Sequence, residues 1–150
     1  MRIVIAVDQS PHSERAVHFV SRMRWPAGSR VIVASVMASP LAPSVSSVDA
    51  GVALMVGVGA EQVADTQTRL EEAEAVLRAA GIATENRLLT GDPREGLLRL
   101  VVDERIDLIV LGSHGRTGFA KLLLGSVSSH VVTHARCSVL VVKEDAHERA

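Results

Sequence analysis

The fold of this chain is decided by the stretch DLIVLGSHG at residues 107–115, together with Gly125-Ser126, which come after nine further residues. The apolar run predicts a buried strand, and Gly112 and Gly115 allow backbone N–H groups to approach an anion closely. Ser126 is predicted to begin a helix, whose N-terminus offers unpaired N–H donors and the positive end of the helix dipole. A strand, a glycine loop and a helix N-terminus in this order predict a phosphate-binding cradle, and we infer a nucleotide as its ligand.

The charges around this cradle favour an anionic ligand. No Asp or Glu occurs from Leu108 to Val142, whereas Arg116, Lys121 and Arg136 are cationic. An acid-free window of this length favours a polyanion nearby. Arg116 is a candidate for a bidentate phosphate contact, and the alternative is a solvated loop arginine. The glycine spacing alone is also compatible with tight turns that bind nothing, but the adjoining strand, helix and cations favour phosphate binding.

Short apolar runs alternate with amphipathic stretches along the chain. This alternation is typical of βαβ units that form a parallel sheet with helices on both faces, so we predict an α/β fold. The five predicted strands are Arg2–Val7, Arg30–Val36, Ala83–Leu89, Asp107–Leu111 and Ser138–Val142. The run at 83–89 is the most polar of the five, which predicts a strand at an edge of the sheet.

Four helices are predicted between these strands. The first begins at Pro11 after the N-cap Ser10, and the second spans 62–80. The third begins at Asp92-Pro93, and the fourth begins at Ser126. The segment 37–59 differs, because it is rich in Ser, Ala, Pro, Gly and Val and contains Asp49 as its only charge. We predict a long, flexible connection there.

Length and composition limit the domain organisation and the class of partner. The 150 residues, 47% of them hydrophobic, suffice for one core, so we predict a single domain over 1–150. A net charge of −1 and only two Phe and one Trp argue against nucleic-acid or membrane partners. Cys137 is the one cysteine and lies in a predicted buried strand, and Asp8 interrupts the first apolar run well short of a signal-peptide core or membrane span. We therefore expect a soluble cytoplasmic protein.

Three loops are predicted to meet at one crevice, because ligands of open parallel sheets bind at the carboxyl ends of the strands. Asp8, Val36 and Gly112 lie at three such ends. Asp8 is a candidate for accepting hydrogen bonds from ribose or adenine, or for holding a phosphate-bound Mg²⁺, and the alternative is local capping of the next helix. Val36 is a candidate for offering backbone groups to adenine, and an ordinary core valine explains it equally well.

Two pairs of side chains lie on the last predicted helix. Ser126 and Ser128 are candidates for donating hydroxyl groups to phosphates, and Ser126 is also a candidate N-cap; these roles are compatible. His130 and His134 have the spacing of two metal ligands on one helix face, but no third ligand is evident in the sequence. We therefore predict no metal site formed by the protein alone.

These motifs together resemble the universal stress protein family, and in particular its ATP-binding branch. The resemblance covers nearly the whole chain. It rests on residues 3–8 with Ser10 and Ser13, on 107–116, on 124–127 and on 139–142. It implies a single Rossmann-like domain, similar to the adenine nucleotide alpha hydrolases, with an open parallel sheet of five strands in the order 3-2-1-4-5.

The resemblance also implies the roles of individual residues. Asp8 is expected to contact the adenosine, and Val36 the adenine through its backbone. The ribose and phosphates of ATP, accompanied by Mg²⁺, are expected to contact Gly112, Gly115, Gly125, Ser126, Val127 and Ser128. A homodimer is implied through the last strand, Val139 to Val142, and an exposed apolar edge strand needs such covering.

Two functions remain open at this point. The first is a cytoplasmic ATP-binding regulatory or stress-response module, in which the nucleotide orders the glycine loop and the long connection. The second is a slow ATPase or nucleotidyl-transferring enzyme, in which Asp8 places Mg²⁺ and Arg116 stabilises the transferred charge. The sequence contains no Walker loop and no nucleophile elbow, which favours the binding module.

Overall fold

The computed structural model describes residues 1–37, 50–114 and 124–143, with residues 50–58 described by their backbone alone. Strands and helices alternate along these residues, as predicted. The strands are β1 (Arg2–Ala6), β2 (Arg30–Met37), β3 (Ala83–Thr90), β4 (Leu108–Gly112) and β5 (Ser138–Val142). The helices are α1 (Pro11–Arg22), α2 (Ala50–Ala79), α3 (Pro93–Asp103) and α4 (Ser126–His134).

The five strands form one parallel sheet in the order β3-β2-β1-β4-β5. Ile3 of β1 is in register with Val31 of β2 on one side and with Leu108 of β4 on the other. The predicted strand order and the edge position of β3 are both confirmed. Because the order reverses beside β1, the loops after β1 and β4 leave the sheet next to each other at its carboxyl edge.

The sheet is covered on both faces, and each face has its own apolar core. Ile3 and Ile5 of β1 are fully buried in the core that contains α1 and α2, whereas Val4 between them is fully buried in the core that contains α3 and α4. This alternation is the period-2 geometry of a strand. Each such side chain contributes about 1.5–3 kcal/mol by its burial, which fixes the strand between the two helical layers.

The helices begin where local chemistry favours them, with one exception. The side chain of Ser10 caps α1 and that of Asp92 caps α3, each followed by a proline in the first turn. The predicted start of α2 at Gln62 is wrong, because the helix begins at Ala50 and includes much of the segment predicted as a connection. Alanine, leucine and methionine between 50 and 61 favour the helix despite the glycines there; residues 38–49 lie outside the described part.

The end of α2 is set by Gly81, whose φ of 79° lies in the left-handed region that glycine adopts without strain. The helix ends at Ala79, close to the predicted end at 80. Over the described ranges, no helix combines the length with the apolar character that crossing a membrane requires.

Candidate functional site

The loops after β1 and β4 meet at the carboxyl edge of the sheet. The hydroxyl of Ser10, a residue only 2% exposed, lies 3.3 Å from the carbonyl oxygen of His114. The rings of His12 and His114 are in tilted contact, with their centroids 5.3 Å apart. The predicted convergence of these two loops is confirmed, and Ser10 and His114 are the residues that join them.

Gly112 lies where the first turn of α1 crosses the end of β4. A Cβ atom built on Gly112 would lie 2.7 Å from both the carbonyl carbon and the carbonyl oxygen of His12, and 2.8 Å from its Cβ. Such distances are steric overlaps, so glycine is required for α1 to pack against β4. The sequence connected Gly112 with the approach of an anion, but this helix contact is sufficient to explain the glycine.

Asp8 forms part of the local structure that begins α1. Its Oδ1 accepts hydrogen bonds from the N–H of Ser10 at 2.9 Å and from the hydroxyl of Ser10 at 2.5 Å, and the Ser10 hydroxyl oxygen accepts from the N–H of Ser13 at 3.3 Å. Oδ1 of Asp8 therefore takes part in the local capping of α1, which was the alternative to a ligand contact. Within the described residues Oδ2 accepts no hydrogen bond, so the carboxylate retains an acceptor for a ligand.

A cavity of about 200 Å³ borders Asp8 on the side of α1 and α2. Its apolar lining includes Val7, Val17 and Ala73, and its rim includes the charged side chains of Glu14 and Arg69. A larger groove of about 400 Å³ lies between α3 and α4, and none of the predicted site residues lines it. The cavity beside Asp8 is therefore the one that adjoins the predicted crevice.

Val36 lies two residues beyond Ala34, where the pairing of β2 with β1 ends. The carbonyl of Ala34 accepts from the N–H of Val7 at 2.8 Å, whereas the carbonyl of Met37 accepts from Gly91 on the other side of β2. Successive residues of a parallel strand direct their backbone groups alternately to its two neighbours. Val36 therefore directs its N–H and C=O to the same side as Ala34, and within the described residues neither group is hydrogen-bonded. Its side chain packs in the core near α3.

The N-terminus of α4 has no side-chain cap, in contrast to those of α1 and α3. Its N-cap residue is Gly125, so the prediction of Ser126 as the cap is wrong, and Ser126 is the exposed first residue of the helix. The first backbone bond of the helix runs from the N–H of Ser129 to the carbonyl of Gly125 at 2.9 Å. Over the described ranges, the N–H groups of residues 126–128 consequently have no partner.

Among the described residues, two hydrogen bonds connect the start of α4 to the end of β4. The N–H of Gly125 donates to the carbonyl of Ser113 at 2.8 Å, and the hydroxyl of Ser128 donates to the carbonyl of Gly112 at 2.7 Å. Ser128 is 5% exposed. A hydroxyl has one hydrogen to donate, so that of Ser128 is directed to the protein and not to a phosphate.

The remaining candidates are Gly115, Arg116, Val127 and the histidines of α4. Gly115 and Arg116 are outside the described residues, and Val127 is half-buried against the core that contains α3. The rings of His130 and His134 are stacked with centroids 4.2 Å apart. In the part of the chain that the structure describes, no group of three or more His, Cys, Asp or Glu side chains is arranged to hold a metal ion.

Comparison with known proteins identifies relatives of this chain. The model of the universal stress protein family matches residues 1–143. Universal stress protein MJ0577 of Methanocaldococcus jannaschii is 33% identical over 79 residues, which are 53% of this chain and 49% of the relative. The chain spans about half the length of the curated relatives it matches.

Solved structures resemble the chain over nearly its full length. The structure of MJ0577 has a TM-score of 0.84 at 24% identity and covers 97% of this chain and 96% of its own, a likeness of fold. A universal stress protein in complex with cAMP is 26% identical, with a TM-score of 0.69 and coverages of 95% and 96%. The Archaeoglobus fulgidus protein in complex with dAMP is 24% identical, with a TM-score of 0.64 and coverages of 95% and 98%.

Proposed function

Because the chain belongs to the universal stress protein family, we propose that it is a cytoplasmic module that binds ATP and acts in regulation or stress response. Two relatives of known structure hold cAMP and dAMP. These two ligands share an adenine, a pentose and a phosphate, which supports an adenine nucleotide as the ligand class. The proposed ligand lies across the carboxyl edge of the sheet, from Val36 and Asp8 to the first turn of α4.

The observation that carries this proposal is the uncapped first turn of α4. Three N–H groups of this turn are unpaired within the described residues, and together with the helix dipole they favour an anion; a hydrogen bond to a charged group contributes about 1.5–3 kcal/mol. No acidic residue occurs from Leu108 to Val142, so the segment that contains this turn has no competing negative charge of its own. The N–H groups of Ser126, Val127 and Ser128 are therefore the proposed phosphate contacts, together with Gly115 and Arg116 of the preceding segment. The N–H of Gly125 already donates to the carbonyl of Ser113.

The adenosine is proposed to bind at the ends of β1 and β2. The N–H and C=O of Val36 provide one donor and one acceptor on the same side of β2, which matches the N1 acceptor and the N6 donor of adenine. Oδ2 of Asp8 provides an acceptor for a hydroxyl of the ribose. Both groups lie at the edge where Gly112 also ends its strand.

The triphosphate and Mg²⁺ are the finer part of the proposal. Two cations, Arg116 and Lys121, occur in the sequence between Gly115 and Gly125. Two positive charges favour a ligand with several phosphate groups over a ligand with one. Mg²⁺ prefers oxygen ligands, usually one or two carboxylates plus phosphates, and Oδ2 of Asp8 is the candidate for this role in place of the ribose contact. When bound, the ion would neutralise phosphate charge.

We further propose that the module is a homodimer through β5. This strand is at the edge of the sheet, and Val139, Leu140 and Val141 on it are only half-buried. An apolar edge strand is a template for pairing with another chain, and a second copy of β5 provides a self-complementary partner.

The nucleotide site can be tested by removing one backbone donor while keeping the helix. We expect Ser126→Pro to fold normally, because α1 and α3 both have proline at this position and because Gly125 already has the extended backbone (ψ 163°) that precedes proline. Ser126→Ala removes only the hydroxyl and is the matched control. Calorimetric titration with AMP, and with ATP and Mg²⁺, should show an affinity about 10–100-fold lower for Ser126→Pro than for Ser126→Ala.

Two outcomes would contradict the proposal. Equal affinities of the two variants would mean that the amide does not contact phosphate, and absence of binding to the unmodified protein would remove the function altogether. Chromatography of the nucleotide recovered after titration tests the enzyme alternative, because intact ATP supports a binding module, whereas multiple turnovers abolished by Asp8→Ala support catalysis.

A further inference from the structure

We infer that Ser128 is a positioning residue of the nucleotide site. Its hydroxyl connects the first turn of α4 to the end of β4 and thereby determines where the amides of Ser126 and Val127 lie. This inference rests on the proposed function for its ligand, but its structural part concerns the protein alone. It also replaces the role of phosphate donor that the sequence suggested for Ser128.

Among the described residues, the hydroxyl of Ser128 makes one of two hydrogen bonds that join the start of α4 to the end of β4. It reaches the carbonyl of Gly112, and the N–H of Gly125 reaches the carbonyl of Ser113, the next residue along the chain. Both carbonyls belong to buried residues at the end of β4. The first turn of α4 is therefore attached on either side of the amides of Ser126 and Val127, which have no partner among the described residues.

The orientation of α4 depends strongly on this attachment. The helix has nine residues, which is too short to be stable without tertiary contacts, and it has no side-chain cap. Val131 is its fully buried apolar residue and lies beyond the first turn. Val131 anchors the middle of the helix, whereas the direction of its N-terminal turn depends on the half-buried side chain of Val127 and on the hydrogen bonds of Ser128 and Gly125.

A direct phosphate contact by the same hydroxyl is disfavoured. The hydroxyl has one hydrogen, and donating it to a phosphate would leave the buried carbonyl of Gly112 without its donor. Leaving a buried acceptor unpaired is penalised more than an ordinary hydrogen bond contributes. Positioning and direct contact therefore exclude each other for this group, and an experiment can separate them.

The affinity measurement compares Ser128→Ala with Ser128→Thr and with Ser129→Ala as the matched control, because Ser129 is exposed on the same turn. We expect AMP affinity to fall about 10-fold in Ser128→Ala and to be restored within about 3-fold by threonine, which retains the hydroxyl. The affinity for adenosine, which lacks the phosphate, should fall less than the affinity for AMP. Unchanged AMP affinity in Ser128→Ala would overturn the inference, as would an equal loss in Ser129→Ala.

The second measurement is made without ligand. Amide resonances of Ser126 and Val127 in ¹⁵N spectra should shift in nucleotide-free Ser128→Ala and return toward their original positions in Ser128→Thr. Loss of AMP affinity with unshifted resonances would mean that the hydroxyl contacts phosphate directly, and would overturn the inference. If Ser128→Ala does not fold, Ser128→Cys replaces it, because the thiol is a weaker donor of similar size. We expect Ser128→Cys to lower the AMP affinity and shift the resonances in the same direction but less. No change in either would also overturn the inference. If the unmodified protein binds no AMP, the proposed function fails, while the resonances still test the positioning.

Discussion

Replacing Gly112 by alanine is expected to destabilise the domain, because the new Cβ would overlap the first turn of α1. The added atom would lie 2.7 Å from two backbone atoms of His12, about 0.7 Å inside the 3.4 Å at which ordinary contact begins. Backbone atoms cannot rotate away as a side chain can, so β4 and α1 must separate. Overpacking of this kind costs about 1–3 kcal/mol. For a domain of this size, that lowers the melting temperature by about 2–12 °C.

Gly96→Ala is the matched control, since it adds the same atom at a glycine inside α3. Its nearest neighbour would be Cγ1 of Val36 at 3.5 Å, an ordinary contact distance. Alanine is favoured over glycine in a helix interior by about 1 kcal/mol. Gly112→Ala should therefore lower the free energy of unfolding, whereas Gly96→Ala should leave it unchanged or raise it.

Urea denaturation and thermal melting of the two variants provide the test. If Gly112→Ala were as stable as the unmodified protein, the explanation by the packing of α1 would be refuted. If it were stable and also failed to bind AMP, the interpretation of Gly112 as a glycine for anion approach would be right instead. A loss of stability in both variants would show that these backbone positions cannot accept a Cβ for some other reason.

Three further substitutions test polar contacts. The pKa of Asp92 is lowered from 3.8 to about 2 by the side chain and N–H of Arg94, so its carboxylate stabilises the fold above pH 3.8 and this contribution is lost as the pH falls through 2. The urea midpoint should therefore decline less over that interval in Asp92→Asn, and an equal decline would contradict the assignment. Asn86→Ala should cost about 1–3 kcal/mol in urea unfolding, because Nδ2 of Asn86 donates to buried Glu74 at 2.7 Å. Arg78→Ala should cost under about 1 kcal/mol, because Arg78, the other partner of Glu74, is 61% exposed; equal costs would refute this ranking.

The sheet could be predicted from the sequence because its signals are local. Apolar runs bounded by polar residues located all five strands within about a residue at each end, and the polarity of 83–89 placed β3 at an edge. The start of α2 was missed, since Ala50 begins a stretch whose glycines and valines also occur in loops. The helix there depends on the helix propensities of many residues added together. Individual glycines do not reveal that sum.

The site could be predicted only where it depends on position along a strand. Asp8, Val36 and Gly112 were expected at strand ends, and they lie there. The reason for Gly112 is its contact with His12, about 100 residues away in the chain, and the partner of Ser128 is likewise on another element. Such tertiary contacts leave no periodic pattern, so the sequence suggested a phosphate role for both residues.

The described part of the site presents backbone groups, while its polar side chains form the framework. The hydroxyls of Ser10 and Ser128 and one oxygen of Asp8 are bonded to the protein. The amides of residues 126–128 and the N–H and C=O of Val36 are not bonded within the described residues. Recognition by backbone groups needs glycines and short side chains near the ligand and no particular charged residue. This explains why spacing, and not residue chemistry, was the informative signal in the sequence, and why substitutions that move the backbone should affect binding more than those that shorten a side chain.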